Sequence, residues 1–182
     1  MSHLTGKKIA FLATNGFEDS ELTSPWDAVT EHSATAALVS TERGTITGKK
    51  GHEAHVDLST SEASAADFDG LVLPGGVVNG DTIRLDEHAV SFVRDFFAQH
   101  KPVGVICHGG WILADAGVLQ GRTITSFASL RTDLRNAGAT WVDEEVVVDA
   151  GLVSSRTPDD LPAFNAKLVE ELAEGKHEGQ TT

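Results

Sequence analysis

Hydrophobic and polar positions along this chain change rhythm block by block, and the blocks predict alternating strands and helices. "KKIAFLAT" (7–14) is an apolar run closed by lysines and Asn15-Gly16, the pattern of a buried strand. Residues 18–33 carry helical spacing, with Pro25 expected to start or kink the helix. "TAALVST" (35–41) predicts a second strand, and the glycine-rich, alternating "GTITGKKGHEAHVDL" (44–58) predicts a small hairpin. "FDGLVLPGG" (68–76) predicts a strand ending in a turn. Residues 86–99 place Ala89, Val90, Phe92, Val93, Phe96 and Phe97 on or near one side of a helix. "VGVIC" (103–107) is another buried strand, followed by a helix over 109–116. A strand at 123–127 and a helix at 130–137 come next. "TWVDEEVVVDAGLVSSR" (140–156) predicts a hairpin turning at Asp149-Ala150-Gly151. Thr157, Pro158 and Asp160 together signal the start of a last helix that ends near Gly175, leaving 175–182 as a flexible tail.

Strands alternating with helices predict an α/β fold, a mostly parallel sheet covered by helices on both faces. The 182 residues contain no linker, repeat or low-complexity block, so a single domain is expected over 1–182. In such a sheet, ligands bind beyond the carboxyl ends of the strands. Three strands end there in unusual residues: "TNGFED", "PGG" and "CHGG".

Composition narrows the function. A net charge of −13 argues against nucleic acid and anionic membranes as partners, because phosphates call for a basic face. The single cysteine excludes an internal disulfide and any CxxC motif. The opening "MSHLTGKK" has no apolar core of a signal peptide, and no apolar run is long enough to span a bilayer, so a cytoplasmic protein is expected. "HEAH" (52–55) is one residue short of a zinc-binding HExxH and lies in an expected strand, so no metal is expected there. "DEE" (143–145) reads as a solvated charge run. Arg156 is expected to face the site or to pair with an acid such as Asp159. No nucleotide-binding glycine motif is present, and no cofactor is expected.

The one cysteine stands at a chemically loaded place. Cys107 ends a buried strand, His108 follows, and Gly109 and Gly110 relieve the crowding of a sharp turn into a helix. That is the geometry of a nucleophile elbow. A helix N-terminus lowers a thiol's pKa, so an activated thiolate is expected, with backbone amides nearby to hold an oxyanion. His108 needs a further group to orient its ring. Glutamine amidotransferases use a similar elbow with a downstream His and Glu. Here the only later histidine is His177, in the expected tail, so that triad is missing. Trp111, so close to Cys107, is a candidate for lining the pocket, and Trp26 for packing.

"GFEDSEL", "LVLPGG", "ICHGG", "AGVLQGRTITSF", "DLRNAGATWVDEEVVVD" and "SSRTPDDLPAF" together resemble the PfpI family of the ThiJ/PfpI superfamily, over residues 7–173. This group includes intracellular cysteine proteases, general stress proteins and relatives of the Parkinson-disease-associated deglycase. The resemblance implies a flavodoxin-like (class I glutamine amidotransferase-like) fold, a homodimer or higher oligomer, and an oxidisable cysteine. It implies Cys107 as nucleophile, His108 as its partner and Glu18 as the acid approaching the thiol. Gly75 and Gly76, with Gly109 and the amide of His108, would surround the oxyanion and substrate. Asp81 lies near an acidic position that, in protease-type members, reaches the histidine from a neighbouring subunit; the loop here is one residue longer. Gly110 stands where many members have proline. The function implied is cofactor-independent cysteine chemistry on reactive carbonyls, as in glyoxalase III or deglycase enzymes. The alternatives are an intracellular peptidase or, in another class, a redox sensor or chaperone.

Overall fold

The computed structural model describes residues 3–182. Its centre is a seven-stranded sheet built from β1 (Lys8–Leu12), β2 (Thr35–Ser40), β5 (Leu58–Ser59), β6 (Gly70–Leu73), β7 (Val103–Ile106), β10 (Val147–Asp149) and β11 (Leu152–Ser155). The spatial order is β10-β11-β7-β6-β1-β2-β5. Every pairing in it is parallel except β10 with β11. The five central strands therefore run in the flavodoxin-like order 2-1-3-4-5, with the direction of winding reversing at β1. The hairpin expected at 44–58 forms as β3 (Gly44–Thr47) against β4 (Glu53–Val56).

Both faces are covered because both are apolar. In β1, Ala10 and Leu12 enter one core and Ile9, Phe11 and Ala13 the other. The first core is closed by α3 (Glu87–Ala98), α4 (Trp111–Ala116) and α5 (Arg131–Asn136). Its aromatic centre is Phe68, Phe92 and Phe96, with edge-to-face contacts at 5.0–6.0 Å. The second is closed by α1 (Asp19–Glu31) and α6 (Leu161–Glu174), with Phe164 fully buried. Pro25 lies inside α1 and is buried. The cap of α3 is Asp86, whose carboxylate accepts the N–H groups of His88 and Ala89.

Three local expectations change. The segment after "PGG" forms a short helix, α2 (Val77–Ile83), which the sequence pattern did not show. The 123–127 strand shortens to β8 (Thr123–Ile124), and the first arm of the 140–156 hairpin pairs with it as β9 (Thr140–Trp141) in a separate ribbon. Only β10 and β11 make the hairpin, turning through Ala150 and Gly151, both at positive φ. The segment after Gly175, expected to fray, is tied down: Gln180 is fully buried, its side chain accepts from Arg122 at 2.7 Å, and its carbonyl oxygen meets His100 Nδ1 at 2.7 Å. No helix among the described residues is long and apolar enough to cross a membrane.

Candidate active site

Strand β7 ends at Ile106 in extended backbone, and Cys107 then turns to φ 60 at the head of a single 3-10 turn, Cys107–Gly110, that runs into α4. A non-glycine residue in that region is strained and is held there by its surroundings. The elbow is pressed against the end of β6. A Cβ on Gly109 would lie 2.5 Å from the Leu73 carbonyl oxygen and 2.8 Å from that of Pro74, so only glycine fits. Gly110 is different. It holds ordinary helical angles (φ −70, ψ −17), and its nearest neighbours are the tips of Leu130 and Leu134 at 3.6 and 3.7 Å. Glycine there leaves the turn intact.

Cys107 is buried, with its Sγ 3.2 Å from Nδ1 of His108. The backbone N–H groups of His108 and Gly76 act on the sulfur and favour its charged form. The carboxyl group packed beside the thiol and acting on it is Glu21, not Glu18. Glu21 is fully buried on the inner face of α1; one oxygen accepts the Gly75 N–H at 3.0 Å and the other has no hydrogen-bond partner. Gly75 makes this possible, because a Cβ there would lie 2.5 Å from the Glu21 oxygen and 2.8 Å from the Cys107 Cβ.

These neighbours reset the proton affinities. Burial, and after it the charge on Glu18, pushes the Glu21 carboxyl up to about 8. Burial and the charge on Glu21 push the Cys107 thiol up to about 12, against the N–H groups of His108 and Gly76. The thiolate expected from the helix N-terminus is thus opposed by desolvation and by a neighbouring carboxyl, which the sequence reading had not placed there. Burial, helped by the Lys49 ammonium, holds His108 below its usual value and keeps it neutral.

The other expected residues divide. Glu18 lines the same 270 Å³ pocket as Cys107 and His108, but its carboxylate is ion-paired with Lys49 and, at 3.2 Å, with Lys50. Burial works to raise it, yet the two lysines together hold it below its ordinary value. Trp111 stands edge-on to the His108 ring at 5.3 Å, and Phe127 stacks on the ring at 4.6 Å. Within the chain, Nε2 of His108 meets the hydroxyl of Ser129 at 3.3 Å. Asp81 is exposed on α2 and is not the group on that nitrogen in this chain. Arg156 pairs with Asp160 and Asp143 rather than Asp159. A larger cleft of 410 Å³ between α1 and the β3–β4 hairpin holds His52 and His55 but neither Cys107 nor His108. The one cluster with metal-ligand spacing among the described residues is Glu171, Glu174 and His177, where His177 sits 3.1 Å from Glu171.

Sequence reading missed Glu21 and Ser129. Glu21 carried a signal: with Leu22, Pro25 and Val29 it lies on the buried face of α1, and a carboxylate on an apolar helix face calls for a reason. Ser129 carried none, because only the chain's return after β8 brings it to the histidine.

A flavodoxin-like sheet with a cysteine elbow beyond β7 and a buried carboxyl arriving from the end of β1 defines a class of cysteine-centred α/β proteins. The chain belongs to the DJ-1/PfpI family, whose model matches residues 7–171. It is 48% identical over 165 residues to deglycase PH1704 of Pyrococcus horikoshii, covering 91% of this chain and 99% of that one. It is 47% identical over 167 residues to general stress protein 18 of Bacillus subtilis, covering 90% and 96%. A ThiJ/PfpI domain protein from Brachyspira murdochii superposes with a TM-score of 0.85 at 26% identity, covering 93% of this chain and 98% of that one.

Proposed function

We propose that this protein is a cytoplasmic stress-protection enzyme in which Cys107 attacks small reactive carbonyls, 2-oxoaldehydes of the methylglyoxal type and their adducts. The observation that carries this reading is the buried Glu21 carboxyl against the thiol, protonated at neutral pH and next to a neutral histidine. The sulfur that loses its proton to Nδ1 of His108 is held by the N–H groups of Gly76 and His108. Its addition to the aldehyde carbon forms a C–S bond and opens the C=O π bond, and the oxygen takes the Glu21 proton. The Glu21 carboxylate then removes the proton on that carbon and returns it to the neighbouring carbon through an enediol, while the hydroxyl proton passes to the neighbouring oxygen, leaving a thioester. Water hydrolyses the thioester to a 2-hydroxy acid and restores the thiol. One water is added overall, and no outside oxidant or reductant enters.

Peptide cleavage asks for more: an acid aimed at a leaving amine. Within the chain, the far nitrogen of His108 meets a hydroxyl and not a carboxylate, which favours carbonyl addition. The names deglycase and general stress protein among the relatives support the same reading. The test is lactate formation from methylglyoxal by the wild type and by Cys107→Ala, beside an unfolded protein substrate and peroxide. Cys107-dependent lactate supports the proposal. Proteolysis or peroxide consumption without lactate refutes it in favour of the peptidase or the redox protein. We also propose that the chain self-associates, because Val77, Val78 and Leu85 stand exposed on and after α2, and Phe127, which lines the pocket with Val77, is exposed too.

A further inference from the structure

The pocket has one cationic wall. Lys49 lines it, and its ammonium lies near enough for its charge to act on Cys107, Glu21 and His108 alike. In a chain of net charge −13, such a placement needs building, and the hairpin turn shows how it is done. The Lys49 N–H donates to the Phe17 carbonyl at 2.9 Å, and the Gly48 N–H to the His52 carbonyl at 2.8 Å. The Asp19 carboxylate accepts the N–H groups of Lys50 at 2.8 Å and His52 at 3.3 Å, so its charge is engaged by the turn backbone. The turn carrying Lys49 is therefore fixed to the first residues of the catalytic helix.

The ion pairs at the rim are unequal. Glu18 is one buried carboxylate shared by two lysines, and one of its oxygens has no hydrogen-bond partner. When an incoming anion draws on the Lys49 ammonium, Lys50 still neutralises Glu18. An ammonium carries three donors, so Lys49 can hold a second acceptor. Thr157 lines the same pocket, and its hydroxyl makes no capping bond at the start of its helical turn. The remaining lining is largely apolar: Gly76, Val77, Phe127 and Pro158.

We infer that Lys49 and Thr157 bind a carboxylate on the substrate, so that the preferred substrates are 2-oxoaldehydes carrying an acidic tail. The inference rests on the carbonyl chemistry proposed above and names the substrate class of that same site. One ammonium and one hydroxyl match a monoanion. A phosphate dianion needs more positive charge than this wall supplies. The reacting carbonyl stays on Cys107, and the bonds made and broken are those already described.

The test compares kcat/KM for a 2-oxoaldehyde with a terminal carboxylate, dioxopentanoate, with that for its methyl ester, and uses methylglyoxal as reference. Taking the ratio of acid to ester cancels any general effect of a substitution on the thiol. The wild type is expected to favour the acid by about tenfold, the scale of one charge-assisted hydrogen bond, and less at high ionic strength. Lys49→Met should bring the ratio near one, Lys49→Arg should keep most of it, and Thr157→Val should lower it in part. Equal turnover of acid and ester by the wild type, or a ratio that survives Lys49→Met, overturns the inference alone. No turnover of acid, ester or methylglyoxal overturns the functional reading and this inference with it.

Discussion

At the scale of the residue, one carboxyl decides what the thiol can do. Glu21 is neutral at pH 7 because burial and Glu18 raise it, and a neutral carboxyl next to sulfur is a proton donor where an anion would be only a repulsive charge. Its raised value also has a stability consequence with a definite sign. The folded state holds this proton more tightly than the unfolded chain does. The associated stability is full below the ordinary glutamate value of 4.5 and is lost as pH rises through about 8. Glu21→Gln, which cannot ionise, should match or modestly trail the wild type at pH 5. At pH 9 it should exceed the wild type by a few kcal/mol, since each pH step between those two values is worth roughly 1.4 kcal/mol. Urea melts at the two pH values check this. A wild type that gains stability on the variant as pH rises contradicts it. The same residue shows why the sequence pointed to the thiol but not to the carboxyl the fold buries beside it. "CHGG" declares its role through its own spacing, whereas Glu18 and Glu21 are both glutamates near the start of one helix. Which of them turns inward depends on where α1 begins, and the hairpin lysines that claim Glu18 lie some thirty residues on.

At the scale of the element, the strand ends do the positioning. Elements with strong periodicity were legible: β1, β2, β7, α3 and α6 fall within a few residues of where their apolar patterns put them. The short α2 was not, since seven residues reading VVNGDTI offer no helical stripe and the helix follows from the turn at Gly76, φ 91. Nor was the tail, whose order comes from Arg122 and His100 meeting Gln180 across the fold. The elbow is the most demanding junction. Gly109→Ala places a methyl group 2.5 Å from the Leu73 oxygen, so β6 and the elbow must separate. The variant should lose about 2–4 kcal/mol, in the range of other severe backbone and packing faults. Its thiol should also react with iodoacetamide at an altered rate, since the turn that follows β6 carries the Gly75 and Gly76 amides. Unchanged melting and alkylation would mean that the contact is not tight in solution.

At the scale of the whole molecule, the sheet order brings the ends of β1, β6 and β7 side by side, and this gathers Glu21, Gly75, Gly76, Cys107 and His108 from stretches up to 87 positions apart (108 − 21 = 87). That convergence was readable from the alternation of strands and helices, because a parallel sheet leaves its carboxyl edge as the common meeting place. The exposed Val77, Val78 and Leu85 on and after α2, the first of them lining the pocket, extend the account beyond one chain. Sedimentation at micromolar concentration should show a species larger than 19.2 kDa, and a lone 19.2 kDa species would refute self-association. The central claim is that Cys107 works on small carbonyls through Glu21. Its most direct test is kcat/KM on methylglyoxal for the wild type, Glu21→Gln and Glu18→Gln. The account predicts measurable wild-type turnover, a loss of at least about a thousandfold in Glu21→Gln as the proton carrier is removed, and a loss of no more than about tenfold in Glu18→Gln. Wild-type protein without turnover, or a Glu21→Gln variant as active as the wild type, would contradict it.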